Sequence, residues 1–165
     1  MSTGSVKRRS PVESGAFSVS GLPKRLRRTP FSRAAALALP GWELSLAFIP
    51  PEKARALNIR LRGKDYVPNV LSYRVGKMHG EVLICPAIAK KQAPDFGLPA
   101  DRFLLLLFIH GCLHLEGLPH GATMERKERA LVTESLGSAN TSNTHGTKNR
   151  NRHRHRNAPG QDRRH

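Results

Sequence analysis

"ADRFLLLLFIHGCLHLEG", residues 100–117, is the longest helical pattern in the chain, opened by Leu98-Pro99 and apolar on almost every side from Phe103 onward. A helix that is hydrophobic all round has to be covered on all sides. This segment is therefore the central buried helix, and the rest of the fold is what covers it. Its apolar run, Phe103 to Ile109, falls far short of the roughly 20 residues that cross a bilayer, so no membrane span is expected.

Working outward, "ATMERKERALVTESL" (122–136) reads as an amphipathic helix that closes the domain, with Met124, Leu131 and Leu136 turned inward. On the other side, "FSRAAALAL" after Pro30 suits a first helix that stops at Pro40-Gly41. "WELSLAFI" (42–49) alternates apolar and polar residues as a half-buried strand does. Pro50 and Pro51 end that strand, and "EKARALNIRLRG" places Ala54, Leu57 and Leu61 at helical spacing before the stop at Gly63. "NVLSYRV" and "EVLICP" flank "GKMHG" as an antiparallel hairpin. The fold class that follows is α+β: a small mixed β-sheet, with room for one further strand from an irregular segment, packed against helices around a central buried helix.

The chain has 165 residues and carries a formal net charge of +16. That length suits one domain, and such a charge ordinarily points to a polyanionic partner. The charge sits mainly at the ends. Residues 1–41 hold eight basic groups against Glu13, and residues 137–165 hold seven against Asp162, leaving about +3 for the middle. Residues 1–28, with scattered Ser, Gly, Pro and Arg, and residues 137–165, rich in Asn, Arg and His, have too few apolar groups to offset chain entropy. Both read as disordered basic extensions, with the folded unit at 29–136. Cys85 and Cys112 form no C-x-x-C pair, so reduced thiols and a cytoplasmic setting are expected. No apolar signal-peptide core is present near the N-terminus, and Pro11, Pro23 and Pro30 interrupt any long amphipathic targeting helix there.

"HGCLHLEGLPH" (110–120) carries the chemistry. Positions four apart share a helix face, so His110 and His114 can direct both imidazoles at one ion. Gly117 can end the helix in a left-handed turn, and Pro119 discourages its resumption, which lets His120 approach the same ion. Any one of these histidines alone would more often be a core or loop residue; three at this spacing around a glycine make the candidate site. Three imidazoles and an open fourth position are a catalytic zinc arrangement, in which the pKa of a bound water falls from about 15.7 toward about 7. The spacing is that of metzincin proteases, H-E-x-x-H-x-x-G-x-x-H, but Gly111 stands where their glutamate would be, which argues against peptide hydrolysis by that route. Glu116 and Cys112 lie two positions from flanking histidines and face away on a regular helix; neither they nor Glu81 and Cys85 receive a role.

"FIHGCLHLEGLPHG" resembles the signature H-G-x-L-H-L-x-G-Y-D-H of the YbeY family, bacterial endoribonucleases and ribosomal RNA maturation factors. "LNIRLRGKDYVPNVLSYRV" (57–75) resembles that family's L-N-x-x-x-R-x-K-D-x-P-T-[DN]-V-L-S-F-P segment, and "GEVLICP" its G-D-I-x-I-C strand. The resemblance spans about Trp42 to Leu136. It implies one Zn2+ per chain on His110, His114 and His120, a functional Arg62 that clamps a phosphodiester, and single-stranded RNA, ribosomal RNA and the ribosomal subunit as partners. Without it, Arg62 would read as a solvated residue favoured at a helix C-terminus. The chain departs from the motif at Leu118-Pro119, where the family has Tyr-Asp, at Gly121, and at Tyr73-Arg74. Loss of the acidic group would weaken histidine orientation. Three readings follow: a zinc-dependent single-strand endoribonuclease of ribosomal RNA maturation, a non-catalytic zinc-containing assembly factor, and a metallohydrolase of another substrate.

Overall fold

The computed structural model describes residues 15–137. The elements in chain order are β1 (Phe17–Ser20), α1 (Phe31–Ala38), β2 (Glu43–Phe48), α2 (Pro51–Arg62), β3 (Val70–Gly76), β4 (His79–Ile84), α3 (Pro86–Gln92), α4 (Ala100–Glu116) and α5 (Ala122–Leu136), with 3-10 turns at Lys24–Leu26 and Ala93–Phe96. The sheet order is β1-β2-β4-β3; β1 and β4 pair parallel with β2, and β3 pairs antiparallel with β4. This is the mixed sheet of an α+β fold.

Side chains alternate across the sheet with the period of two that a pleated strand imposes. Leu44, Leu46, Val82 and Ile84 enter the larger core with α1, α4 and α5, whereas Leu71, Leu83 and Cys85 enter a smaller one with Ala54 and Leu57 of α2. α4 runs through the larger core, where Phe108, Ile109, Cys112 and Leu113 are fully buried, as its all-round apolarity predicts. Among the described residues, no single helix is long and apolar enough to cross a membrane.

The fold begins earlier than Thr29. Residues 1–14 lie outside the described residues, but Phe17–Ser20 form an edge strand and Leu26 is buried. Four residues are too few for a composition argument, yet Phe17 and Val19 alternate as strand residues do. The Phe17 ring packs 5.7 Å from that of Phe108, and backbone pairing with β2 supplies the rest. Of the expected tail, all but Gly137 lies outside the described residues. Three smaller differences have packing causes. The hairpin turns at Lys77-Met78, so most of "GKMHG" is strand. The inward face of α2 is Ala54, Leu57 and Asn58, while Leu61 is exposed. On α5, Ser135 rather than Leu136 is buried.

Candidate metal centre

His110 and His114 lie one turn apart near the end of α4, which a left-handed Gly117 terminates at φ 100°. Gly117 N–H donates to the His114 carbonyl at 3.0 Å and Leu118 N–H to that of Leu113 at 3.0 Å, the paired bonds of a Schellman cap. That turn returns the chain, so that the ring centroid of His120 lies 5.1 Å from that of His110 and 4.5 Å from that of His114. One ligand atom from each of the three lies within 4.8 Å of the others, and the group could hold a metal ion.

The tautomers fit that chemistry. His110 Nδ1 lies 2.5 Å from Glu128 Oε1, and His114 Nδ1 lies 3.2 Å from the Leu118 carbonyl oxygen. A carboxylate and a carbonyl only accept, so both Nδ1 atoms carry the proton and both Nε2 atoms present lone pairs. Those two Nε2 atoms face each other at 3.0 Å. Two lone pairs at that distance repel unless a cation lies between them. The separation is close to the roughly 3.3 Å edge of a tetrahedron whose metal–nitrogen bonds are about 2.0–2.1 Å. Burial, and then the nearby His110 and His120, hold His114 below the usual imidazole range, which keeps it in the neutral, ligating form.

Glu128 was hidden from motif reading because it comes eight residues after His120, on another helix. A signal did exist: it falls in the inward stripe of α5 between Met124 and Leu131, where a carboxylate needs a partner. The loss of an acid at Pro119 therefore leaves His114 oriented by a backbone carbonyl and His110 by Glu128. Arg74, another departure, donates from Nε to the Leu115 carbonyl at 2.7 Å, satisfying an orphan acceptor at the end of α4, and lies 5.0 Å over the Trp42 ring.

The histidines open into a cleft of about 620 Å³ whose lining includes Arg62, Tyr66, Ser72, Tyr73 and Gln92. Arg62, the last residue of α2 before the left-handed Gly63, thus shares the cleft with the three histidines. Tyr73 donates its hydroxyl to Glu81, and burial with that bond pushes the phenol up to about 12. Cys112 is core, its thiol pushed up by burial, and Glu116 pairs with Lys127 at 2.5 Å. Neither belongs to the histidine group.

Gly111 is where the helix meets the sheet. A Cβ at this position would lie 2.9 Å from Val82 Cγ1 and 3.5 Å from Val70 Cγ2. The glycine lets α4 settle on β3 and β4, and any larger residue there requires Val82 to shift.

The family model for endoribonuclease YbeY matches residues 27–137, two thirds of the chain. This chain belongs to the YbeY family. Relatives in that family include the endoribonuclease YbeY of Thiobacillus denitrificans, 33% identical over 100 residues that cover 54% of this chain and 68% of that protein. Those of Neisseria meningitidis serogroup C (38% over 89 residues, 47% and 52%) and Rubrobacter xylanophilus (37% over 98 residues, 57% and 64%) are similar. The chain thus matches about half to two thirds of the length of these YbeY proteins. Its fold is also that of the solution structure of TM1509 from Thermotoga maritima, at a TM-score of 0.56 and 24% identity, covering 73% of this chain and 89% of that one.

Proposed function

We propose that this protein is a zinc-dependent endoribonuclease that cleaves single-stranded RNA in the maturation of ribosomal RNA, with the ribosomal subunit as its setting in the cytoplasm. The observation that carries the reading is the convergence of three imidazoles on one cleft that Arg62 also lines. A structural zinc is closed by four protein ligands, whereas three histidines opening into a cleft leave a position for water or substrate. That favours catalysis over a purely structural ion. Family membership supports RNA as the substrate.

A bound zinc ion would supply Lewis acidity and a water activated near neutral pH. The chain's own residues do the rest. His110, His114 and His120 would hold the ion, with Glu128 and the Leu118 carbonyl fixing two of the imidazoles. Arg62 presents a planar guanidinium to the phosphodiester and steadies the charge that grows on its oxygens in the transition state. Gly111, in place of a glutamate, leaves no general base at the position proteases use.

Cleavage of a single-stranded ribosomal RNA fragment by the wild type, Arg62→Ala and His114→Ala, each with a chelator control, tests this. Metal-dependent cleavage is expected, lost in His114→Ala and reduced about 10²- to 10³-fold in kcat in Arg62→Ala, the usual effect of deleting one transition-state donor. RNA binding without metal-dependent cleavage would instead establish the assembly-factor reading.

A further inference from the structure

The cleft holds one aromatic ring that the fold does not use. Tyr66 is 49% exposed and lines the same cleft as Arg62 and the histidines. The other candidate rings are engaged. Phe96, although 60% exposed, packs 4.7 Å from the ring of Phe103. Trp42 lies under the Arg74 guanidinium. Tyr73 spends its hydroxyl on Glu81 and its ring on the smaller core. Among the described residues, Tyr66 has no stacking partner and its hydroxyl makes no hydrogen bond.

Its backbone, by contrast, is held firmly. The Tyr66 carbonyl accepts from Nδ2 of the fully buried Asn58 at 3.1 Å. The preceding Asp65 is forked by Arg55 at 2.6 and 2.9 Å. Pro68 then leads into β3. A ring with only two side-chain torsions, on a braced pedestal and facing open space, is preorganised to receive a flat partner, because little entropy is lost when that partner arrives.

We propose that Tyr66 is the platform on which an unpaired nucleobase beside the scissile phosphate stacks. The inference rests on the ribonuclease reading of the cleft and deepens it. Arg62 and Tyr66 lie four residues apart across the Gly63 turn, so one loop offers a cation for phosphate and a π-face for a base. Both are features of single-strand recognition. Every base has a π-face, so this platform selects unpaired over paired nucleotides without selecting sequence.

The test compares the zinc-loaded full chain with Tyr66→Phe and Tyr66→Ala, using a short single-stranded oligoribonucleotide and the same oligonucleotide with single abasic positions. Cleavage gives KM and kcat, and fluorescence anisotropy gives Kd independently. Tyr66→Ala should raise KM and Kd roughly 5- to 150-fold with kcat little changed, the range of one lost base–aromatic stack. Tyr66→Phe should behave as wild type. One abasic position should weaken wild-type binding to the same degree and weaken Tyr66→Ala no further. Wild-type KM and Kd in Tyr66→Ala, or an equal defect in Tyr66→Phe, would overturn the platform while leaving the nuclease reading intact. Tyr66-dependent binding without metal-dependent cleavage would overturn the nuclease reading and with it the scissile phosphate, leaving Tyr66 as a stacking platform for bound RNA only, and absence of binding would overturn both.

Discussion

Glu128 reaches from α5 to His110 at 2.5 Å, and both side chains are largely shielded from solvent. A carboxylate in that position fixes the tautomer and orientation of the imidazole ring, an effect usually worth about 10- to 100-fold in metal affinity. Glu128→Gln keeps the shape and loses the charge, so zinc affinity should fall by that factor in a competition titration with a chelating dye. Unchanged affinity would show that the contact only packs α5. Acid should act in the same direction. Because the folded chain holds His114 below its ordinary range, the unfolded chain binds the proton first as pH falls through about 6.5. Stability of the metal-free protein is therefore full above that value and declines below it, and protons compete for the zinc-binding nitrogens over the same range. Zinc retained stoichiometrically at pH 4.5 in dialysis would count against imidazole ligation. At this scale the histidines were legible because four-residue spacing and a glycine turn are local. Glu128 was not, because its partner depends on how two helices cross.

Gly111 decides how closely α4 approaches the sheet, and through that where both helix histidines stand. In Gly111→Ala, better helix propensity is worth about 1 kcal/mol. Against this, the new Cβ at 2.9 Å from Val82 Cγ1 overpacks a filled core, at a cost of about 1–3 kcal/mol. The steric effect wins or nearly balances, so thermal unfolding should show a loss of up to about 2 kcal/mol together with weaker zinc binding, as α4 is levered off β4. Adding Val82→Ala should recover zinc affinity even though its own lost methyls cost stability. A Gly111→Ala protein more stable than wild type and with unaltered zinc affinity would contradict this geometry. Elements of strong periodicity, α4 above all, were readable from sequence because burial and period agree. β1 was not, since a four-residue edge strand is specified mainly by backbone pairing to β2. α3 also went unread, its seven residues being too few to establish a period.

Charge is a property of the whole molecule, and here its distribution separates attraction from chemistry. The formal charge is +16, yet about +3 belongs to residues 42–136, which contain the histidines and Arg62. The cleft alone is therefore a weak electrostatic attractor, and the basic ends should supply most of the salt-sensitive pull on RNA. For single strands, log affinity falls with log salt by about 0.7 for each phosphate neutralised. Deleting residues 138–165, which removes seven Lys and Arg against Asp162, should flatten that slope and weaken binding most at low salt. Zinc stoichiometry and kcat at saturating RNA should be unchanged, since every group that faces the reaction lies within 62–128. Anisotropy titrations between about 50 and 200 mM salt would measure the slope, a range over which several phosphate contacts produce orders of magnitude in affinity. An identical slope for the full and shortened chains would place the attraction in the cleft and its rim instead. Arg62, Lys64 and the basic residues of α2 would then be the groups to neutralise next.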